Sequence, residues 1–167
     1  GKKVVLSTCG PDSILGMLHQ LSQEISPCGT EFPLNITIKV PFSPGESIPL
    51  DSLAALKNIN IVAPSSVDDM AACLNEALSC QNTTLLIEDR RFLISDTKNT
   101  DIANPMKAHI RKEGEHISVI AWGTAVNWVE SAALDLESQG ISIEAIDLRS
   151  INPIDSATLG ASVQKTG

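Results

Sequence analysis

Short aliphatic runs alternate with amphipathic helical patterns along most of this chain, and that order limits the folds it can adopt. Strands separated by helices of this length are typical of parallel α/β units. Aromatic residues make up only 3% of the chain and Tyr is absent, so branched aliphatic side chains must fill the core. We therefore predict an α/β fold with a mostly parallel sheet. Its first strands are predicted at residues 4–6, 34–40, 59–63 and 83–87.

The helix that follows the third strand carries the clearest local signals. Ser66 is a favourable N-cap, and Asp69 occupies the capping-box position, where Glu is the stronger partner. An apolar stripe follows at helical spacing. We expect this stripe to face the core, and it consists of Met70, Cys73, Leu74, Ala77 and Leu78.

Residues 93–114 show no sustained period and carry Asn, Asp, Lys, Pro and Gly. A stretch of about twenty residues is too long for a loop inside a compact unit, so we predict a linker here. This linker would divide the chain into one unit at residues 1–92 and another at residues 115–167. We expect few packing contacts between the two units.

The second unit has a strand at residues 117–122, a helix from Thr124 that Gly140 closes, and a strand at 141–148. Asp155 caps a last helix. Two helices and two strands are too few to cover both faces of the sheet that the strands form. We therefore expect further chain or a partner to cover the remaining face. The apolar side chains that need this cover are Ile117, Val119, Ile141, Ile143 and Ile146.

Charge and composition argue against several classes of function. A net charge of -8 with one short basic cluster argues against binding to nucleic acid. No apolar run is long enough to span a bilayer and no targeting segment is visible, so no membrane association is expected. The four cysteines form no CxxC pair. They are expected to be free thiols in a reducing compartment, either the cytoplasm or the mitochondrial matrix.

Few residues show a spacing that suggests catalysis. His19, His109 and His116 have no carboxylate, Cys or second His placed to form a ligand set or a nucleophile pair. Neither common glycine-rich phosphate loop occurs. The turn at residues 122–125 could hold an anion with its amides, or its glycine could serve geometry alone. The charged run at residues 88–91 ends a buried strand, where it forms either part of a site or a surface ion-pair group.

Three segments together resemble one protein family. The segment NINIVAPSSVDDMAACLNEAL, from residue 58, resembles the strand–turn–helix of the β subunits of pyruvate, branched-chain and acetoin dehydrogenases. The segment from Lys112 to Gly167, with its IDLRSINPID motif, is similar to the opening of their transketolase-type C-terminal domain. FPLNITIKVP is similar to another family strand. The chain thus resembles the β subunit of a thiamine-diphosphate-dependent 2-oxo acid dehydrogenase, in the transketolase-like superfamily.

The resemblance implies a fold, an activity and partners. Residues 1–92 would be part of a pyrimidine-binding domain, and residues 115–167 the start of a C-terminal domain of the transketolase type. The implied activity is oxidative decarboxylation of a 2-oxo acid, with acyl transfer to a lipoyl carrier. Thiamine diphosphate and magnesium would be shared with an α subunit. The other implied partners are a second β subunit, giving a heterotetramer, and a lipoyl acyltransferase core.

The chain departs from the family at the positions that carry the chemistry. The activating glutamate of the family would lie upstream of Gly1, and STCGPD stands where a longer aromatic segment is expected. The loop FSPGESIPLDSL lacks the histidine that contacts substrate. We therefore assign no catalytic and no cofactor-binding residue, and expect no thiamine-diphosphate binding by this chain alone. Either the chain is a trimmed piece, or it is a diverged and inactive scaffold subunit.

The resemblance also implies a structural potassium ion held mainly by backbone carbonyls. Ala77, Leu78 and Asn82 match the family's ligand positions, and Ile36 supplies a carbonyl from the neighbouring strand. Cys80 replaces an Asp of the family, a change that a carbonyl ligand tolerates. The alternative is that Asn82 only makes a turn.

Overall fold

The structure is a computed structural model that describes residues 3–14, 16–17, 20, 35–43, 45–48, 50–54, 59–94 and 102–167. Residues 12–14, 16–17 and 20 are helical. The other helices are α1 (Leu50–Ala54), α2 (Val67–Ser79), α3 (Ala125–Glu137) and α4 (Ser156–Thr166). The strands are β1 (Val4–Ser7), β2 (Ile36–Phe42), β3 (Ile59–Val62), β4 (Thr83–Asp89), β5 (His109–Lys112), β6 (Ile117–Ala121), β7 (Ile143–Asp147) and β8 (Ser150–Asn152).

The first sheet has the order β1-β2-β4-β3-β8. Its first four strands are parallel, and the register places Ile38 of β2 beside Leu85 of β4. Every residue of β4 is buried, as expected for a central strand covered on both faces. The core of this unit is aliphatic, as the composition predicts, and includes Ile38, Val40, Ile61, Leu85 and Ile87.

Helix α2 begins and packs as its sequence predicts. The Oγ of Ser66 accepts a hydrogen bond from the backbone N of Asp69 at 3.1 Å, which confirms the predicted cap. Of the predicted stripe, Met70, Cys73 and Ala77 are buried, while the two leucines are half-buried.

The second sheet has the order β5-β7-β6. Strands β6 and β7 are parallel, whereas β5 is antiparallel to β7. Strand β5 lies inside the stretch predicted to be a linker. Gly140 follows α3 with φ of +80°, a left-handed conformation that confirms its predicted role at the end of that helix. Both sheets therefore belong to an α/β fold dominated by parallel pairs, which confirms the predicted class.

The expectation of few contacts between the two units was wrong. Strand β8, for which the sequence predicts no strand, pairs antiparallel with β3 of the first sheet. The side-chain Nδ2 of Asn152 donates to the carbonyl of Ile59 at 2.9 Å, and the amide of Ala63 donates to the carbonyl of Arg149 at 2.7 Å. The physical reason is that β3 would otherwise be an edge strand with unpaired backbone groups. The division into domains itself remains a prediction.

Not all of the apolar side chains that were expected to need a partner are exposed in the second sheet. Ile143 and Ile146 lie on the central strand β7 and are buried within the chain. Ile117, on the edge strand β6, is 49% exposed, and Ile120 of the same strand is 45% exposed. If the chain associates as predicted, the apolar surface that a partner would cover lies mainly on β6. Among the helices of the described residues, none is both long and apolar enough to cross a membrane.

Candidate functional site

The carboxyl ends of the parallel strands β2 and β4 lie side by side at one edge of the first sheet. Phe42, the last residue of β2, is in register with Asp89, the last residue of β4. Ligands of open parallel sheets bind at this edge, because the loops that follow the strands diverge there. The charged run that follows β4 is therefore in a position where a site is expected.

Asp89 is the centre of a hydrogen-bonded group at this edge. Its side chain is 1% exposed, and its two oxygens accept hydrogen bonds from Nε and Nη2 of Arg91 at 2.9 and 2.5 Å. The hydroxyl of Thr124, from the second unit, donates to the same carboxylate at 3.2 Å. The Arg91 hydrogen bonds lower the pKa of Asp89 although burial opposes them, so the carboxylate is ionised.

The neighbouring carboxylate is also buried. Glu88 forms an ion pair with Lys39 of β2 at 3.1 Å, and the Glu88 side chain is only 7% exposed. The charged run at residues 88–91 was interpreted either as part of a site or as a surface ion-pair group. The second interpretation does not fit Glu88 and Asp89, because both carboxylates are buried. They are internal groups that fix the edge of the sheet.

The end of β1 is joined to the same edge by backbone contacts. The amide of Thr8 donates to the carbonyl of Lys39 at 3.0 Å, and Nη2 of Arg90 donates to the carbonyl of Cys9 at 2.6 Å. Residues 7–12, where the family resemblance implies a longer aromatic segment, form a short turn with no aromatic side chain. The cationic head of Arg90 occupies the space beside that turn.

The turn at residues 122–125 connects the two units. Gly123 has φ of +58°, and its amide donates to the carbonyl of Ala63 at 3.3 Å. The amide of Val126 donates back to Gly123 at 3.2 Å. Because a glycine adopts this positive φ readily, the geometry favours the interpretation that Gly123 serves the turn.

A second polar cluster, buried between the two units, was not predicted. Ser65 Oγ lies 2.9 Å from Oδ2 of Asp69 and 2.5 Å from Oδ2 of Asp147. Nη2 of Arg149 lies 2.6 Å from Oδ1 of Asp69, an ion pair without hydrogen-bond geometry, and Nε lies 3.5 Å from Asp147. We call these four residues the seam cluster. The sequence does carry a signal for this cluster, because two charged residues, Asp147 and Arg149, lie at the end of a mainly aliphatic strand.

Burial controls the chemistry of the groups around the seam cluster. It raises the pKa of Asp147, although the hydrogen bond with Ser65 and the charge of Arg149 oppose this shift. Burial, assisted by the charge of Asp69, raises the pKa of the Cys73 thiol to about 12. Since a thiolate is the reactive form, Cys73 is an inert core residue that donates to the carbonyl of Pro105 at 3.1 Å. Cys9 and Cys80 are also free thiols, and Cys28 lies outside the described residues.

A third polar cluster lies at the far end of the second sheet. Glu144 is fully buried and forms an ion pair with Lys165, which also contacts Glu113 at 2.5 Å. Burial opposes ionisation of Glu144, but hydrogen bonds from Lys165, Ser162 and the amide of Gly114 lower its pKa to about 2. This cluster stabilises the second unit, because it surrounds a buried carboxylate with hydrogen-bond donors.

The predicted potassium ligands lie near the carboxyl end of α2 and the start of the first sheet. Ala77 and Leu78 belong to the last turn of α2, Asn82 is in the exposed turn before β4, and Ile36 begins β2. The last four carbonyls of a helix have no partner inside it, and rings of carbonyls suit potassium. Cys80, with extended backbone, donates its amide to the carbonyl of Glu76 at 2.9 Å. The potassium site itself remains a prediction.

The histidines do not form a site in the described part of the chain. His109 lies exposed on β5, and Nδ1 of His116 accepts a hydrogen bond from the amide of Ser142 at 2.9 Å. His19 lies outside the described residues. Within those residues, no three His, Cys, Asp or Glu side chains converge to hold a metal ion.

Comparisons with known proteins agree with this architecture. Residues 106–167 match the family "Transketolase, C-terminal domain". The match begins before β5, which places that strand with the second unit.

Curated relatives cover most of the chain. It is 30% identical to a protein named pyruvate dehydrogenase E1 component subunit beta from Staphylococcus epidermidis, over 92% of the chain and 53% of the relative. It is 31% identical to the protein of the same name from Bacillus subtilis, over 93% of the chain and 50% of the relative. The chain thus spans about half the length of these relatives.

Solved structures share the fold. A split-gene transketolase, described as an inactive beta4 tetramer, aligns with a TM-score of 0.84 at 23% identity. The alignment covers 98% of this chain and 54% of that one. A transketolase from Pichia stipitis, in complex with a sedoheptulose phosphate, aligns with a TM-score of 0.65 at 17% identity. It covers 88% of this chain and 23% of that one. At these identities the likeness concerns the fold alone.

Proposed function

The chain is transketolase-like and of the pyruvate dehydrogenase E1 β type, and on that premise we propose that it is the β-type part of a component that decarboxylates a 2-oxo acid. The single observation that carries this proposal is the shared name and extent of its relatives, at about 30% identity over more than nine tenths of the chain. The component would work only with an α subunit.

The finer details of this role also belong to the proposal. Oxidative decarboxylation would be followed by acyl transfer to a lipoyl carrier on an acyltransferase core. Two β-type chains and two α subunits would form a heterotetramer, for which the beta4 assembly of the split-gene transketolase offers a precedent between β-type chains. The parent protein would work in the cytoplasm or the mitochondrial matrix.

Thiamine diphosphate with magnesium is the cofactor that the family implies, and the described residues do not fit the aminopyrimidine. An activating group must be a carboxylate that faces the ligand. The two carboxylates at the carboxyl edge, Glu88 and Asp89, are both buried and paired with Lys39 and Arg91. Arg90 is directed to a backbone carbonyl of the turn beside β1. We therefore assign no step of the reaction to these residues, and we assign them the role of fixing the sheet edge.

A second candidate function is a scaffold subunit without catalysis. It is favoured by the same pairing of Glu88 and Asp89 and by the loop after β2, in which Ser43 and Glu46 bond to each other and no histidine is present. In this role the chain would keep the assembly surface and would not take up the cofactor.

Titration of the complete gene product with thiamine diphosphate and magnesium, with and without its α partner, tests the proposal. We expect heat of binding and decarboxylation of a 2-oxo acid only in the mixture. A stable mixture that takes up no cofactor would favour the scaffold role. Tight, magnesium-dependent binding by the β-type chain alone would overturn both.

A further inference from the structure

The seam cluster contains more hydrogen-bond contacts than full ionisation of its carboxyl groups allows. The hydroxyl oxygen of Ser65 lies 2.9 Å from Oδ2 of Asp69 and 2.5 Å from Oδ2 of Asp147. Both distances are within the range of O–H···O hydrogen bonds. A serine hydroxyl carries one hydrogen and an ionised carboxylate can only accept, so these two contacts need a second hydrogen. One of the two aspartates must therefore carry a proton and donate it to Ser65.

The other contacts of Asp69 identify it as the ionised partner. The hydroxyl of Ser66 also donates to Oδ2 of Asp69, at 2.6 Å. Nη2 of Arg149 lies 2.6 Å from the second oxygen, Oδ1. Two serine hydroxyls and a guanidinium thus surround one carboxylate, and each of them favours its charged form.

Asp147 has much weaker support for a negative charge. Its side chain has no exposed surface. Its further contacts in the described part of the chain are with Arg149, whose amide lies 3.3 Å from Oδ1 and whose Nε lies 3.5 Å from Oδ2. Among the described residues, this Nε has no hydrogen-bond partner. Burial disfavours the charged form and raises the pKa of Asp147.

We propose that Asp147 is a carboxylic acid in the folded chain at neutral pH, and that the proton it donates to Ser65 joins the two units. Asp147 then donates to Ser65, and Ser65 donates to Asp69, so each contact contains one hydrogen. The charge of Arg149 balances that of Asp69, and the seam cluster is neutral as a whole, which lowers the cost of burying it. The proposal goes beyond the function proposed above and does not depend on it.

The other titratable groups around Asp147 come from α2 and β5. Cys73 of α2 has a pKa raised to about 12, so it stays a neutral thiol. His109 of β5 is the cross-strand neighbour of Asp147 and is exposed. The charge of Arg111, on the same strand, opposes the proton on Asp147 but has a smaller effect on its pKa than burial has. Strand β6, on the other side of β7, contains no titratable residue.

The proton makes the contact between the two units sensitive to pH. The ordinary pKa of an Asp is 3.8, so the unfolded chain releases the proton that the folded chain keeps. Because the folded pKa is the higher one, the contribution of the proton to stability is complete below about pH 4 and is lost as the pH rises through the folded pKa. Above that pH, two carboxylates would face the one hydrogen of Ser65, and the seam would weaken.

Proton release on unfolding tests the proposal. The complete gene product is unfolded in urea at pH 7 in weakly buffered solution, and the released protons are counted with a pH indicator. The wild type should release about one proton more than Asp147→Asn, which has no proton to release at this position. Because His109 titrates close to this pH, both proteins are also compared in a His109→Gln background.

Two substitutions separate the acid from the carboxylate. Asn has an N–H that can donate to Ser65, whereas Leu has no donor. Asp147→Asn should therefore keep the wild-type midpoint of urea unfolding at pH 7, and Asp147→Leu should lower it. An ionised partner of Arg149 would behave differently, because both substitutions would remove the ion pair. Asp135→Asn, at an exposed position of α3, is the matched control and should change neither the midpoint nor the proton count.

The acid is also observable in the wild-type protein without any substitution. With ¹³C-labelled Asp carboxyl groups, the folded protein at pH 7 should give a signal of a carboxylic acid, and Asp147→Asn should lack it. A wild-type spectrum with carboxylate signals only, or an acid signal that persists in Asp147→Asn, would overturn the proposal. So would equal proton release by the two proteins, or a midpoint that falls as far in Asp147→Asn as in Asp147→Leu.

Discussion

The Oγ of Ser65 lies 2.5 Å from Oδ2 of Asp147, although the two residues are 82 positions apart in the chain. Ser65 precedes α2 in the first unit, and Asp147 ends β7 in the second. Arg149 joins the same group through Asp69. The contact therefore belongs to a seam that holds the two predicted units together and places the carboxyl edge of the first sheet next to the start of α3.

Loss of the Arg149 side chain should destabilise the protein strongly. Arg149 is 4% exposed, so Arg149→Met removes the cation that pairs directly with the buried carboxyl groups of Asp69 and Asp147. We expect the free energy of unfolding in urea to fall by about 3–5 kcal/mol. Arg149→Lys should lose less, because the charge remains.

The matched control for this prediction is Lys112→Gln. Lys112 pairs with Glu137 at 2.7 Å, but the Glu137 side chain is 62% exposed. Removal of this pair should change the stability by less than about 1 kcal/mol. An Arg149→Met variant as stable as the control would show that the seam cluster contributes little.

Gly114 should not tolerate a side chain. A Cβ atom at this position would lie 2.1 Å from the backbone carbon of Ile143, and backbone cannot move away without opening the second sheet. Gly114→Ala should therefore lower the free energy of unfolding in urea by about 3 kcal/mol or more. Gly160→Ala in α4 meets nothing within 4 Å and should stabilise by about 0.5–1 kcal/mol. Equal effects of the two substitutions would contradict the packing of β5 against β7.

The stability of the second unit should fall at acidic pH because of Glu144. Its pKa is about 2 in the folded chain and about 4.5 when exposed, so the folded state favours the carboxylate. The stabilisation is complete above about pH 4.5 and is lost as the pH falls toward 2. Unfolding by urea between pH 2 and 6 should therefore depend less on pH in Glu144→Gln. Parallel curves for the variant and the wild type would refute this assignment.

Potassium should stabilise the chain more than sodium does. The proposed ligands are the carbonyls of Ile36, Ala77 and Leu78 and the side chain of Asn82. At a concentration of about ten times Kd, the cation would add about 1.4 kcal/mol and raise the melting temperature by a few degrees. Asn82→Ala should abolish the difference between the salts, and Asn75→Ala, on an exposed position of α2, should not. Identical melting in both salts at equal ionic strength would leave Asn82 as a turn residue only.

Sequence reasoning succeeds in this chain where the signal is local. The cap at Ser66, the closing Gly140 and the buried run of β4 all depend on residues within a few positions of each other. The pairing of β8 with β3 and the burial of Arg149 depend on contacts between distant residues. Asn152 and Pro153 look like a loop, because Pro cannot donate to a strand.

The same limit explains what was missed at the candidate site. Strand β5 has the sequence HIRK and carries no alternating apolar pattern, so it was included in the linker. Phe42 of β2 and Trp128 of α3 line one cavity at the carboxyl edge, and no spacing in the sequence connects them. Only the charged run after β4 was recognisable, because its position at a strand end follows from the strand itself.

Assembly with an α subunit is the central claim, and sedimentation velocity tests it most directly. The complete gene product, labelled with a fluorophore, is sedimented alone and with its α partner at micromolar concentration. We predict that the labelled chain moves in the mixture as one faster species that contains both subunits in equal amounts. A labelled chain that sediments identically with and without the α partner would contradict the account.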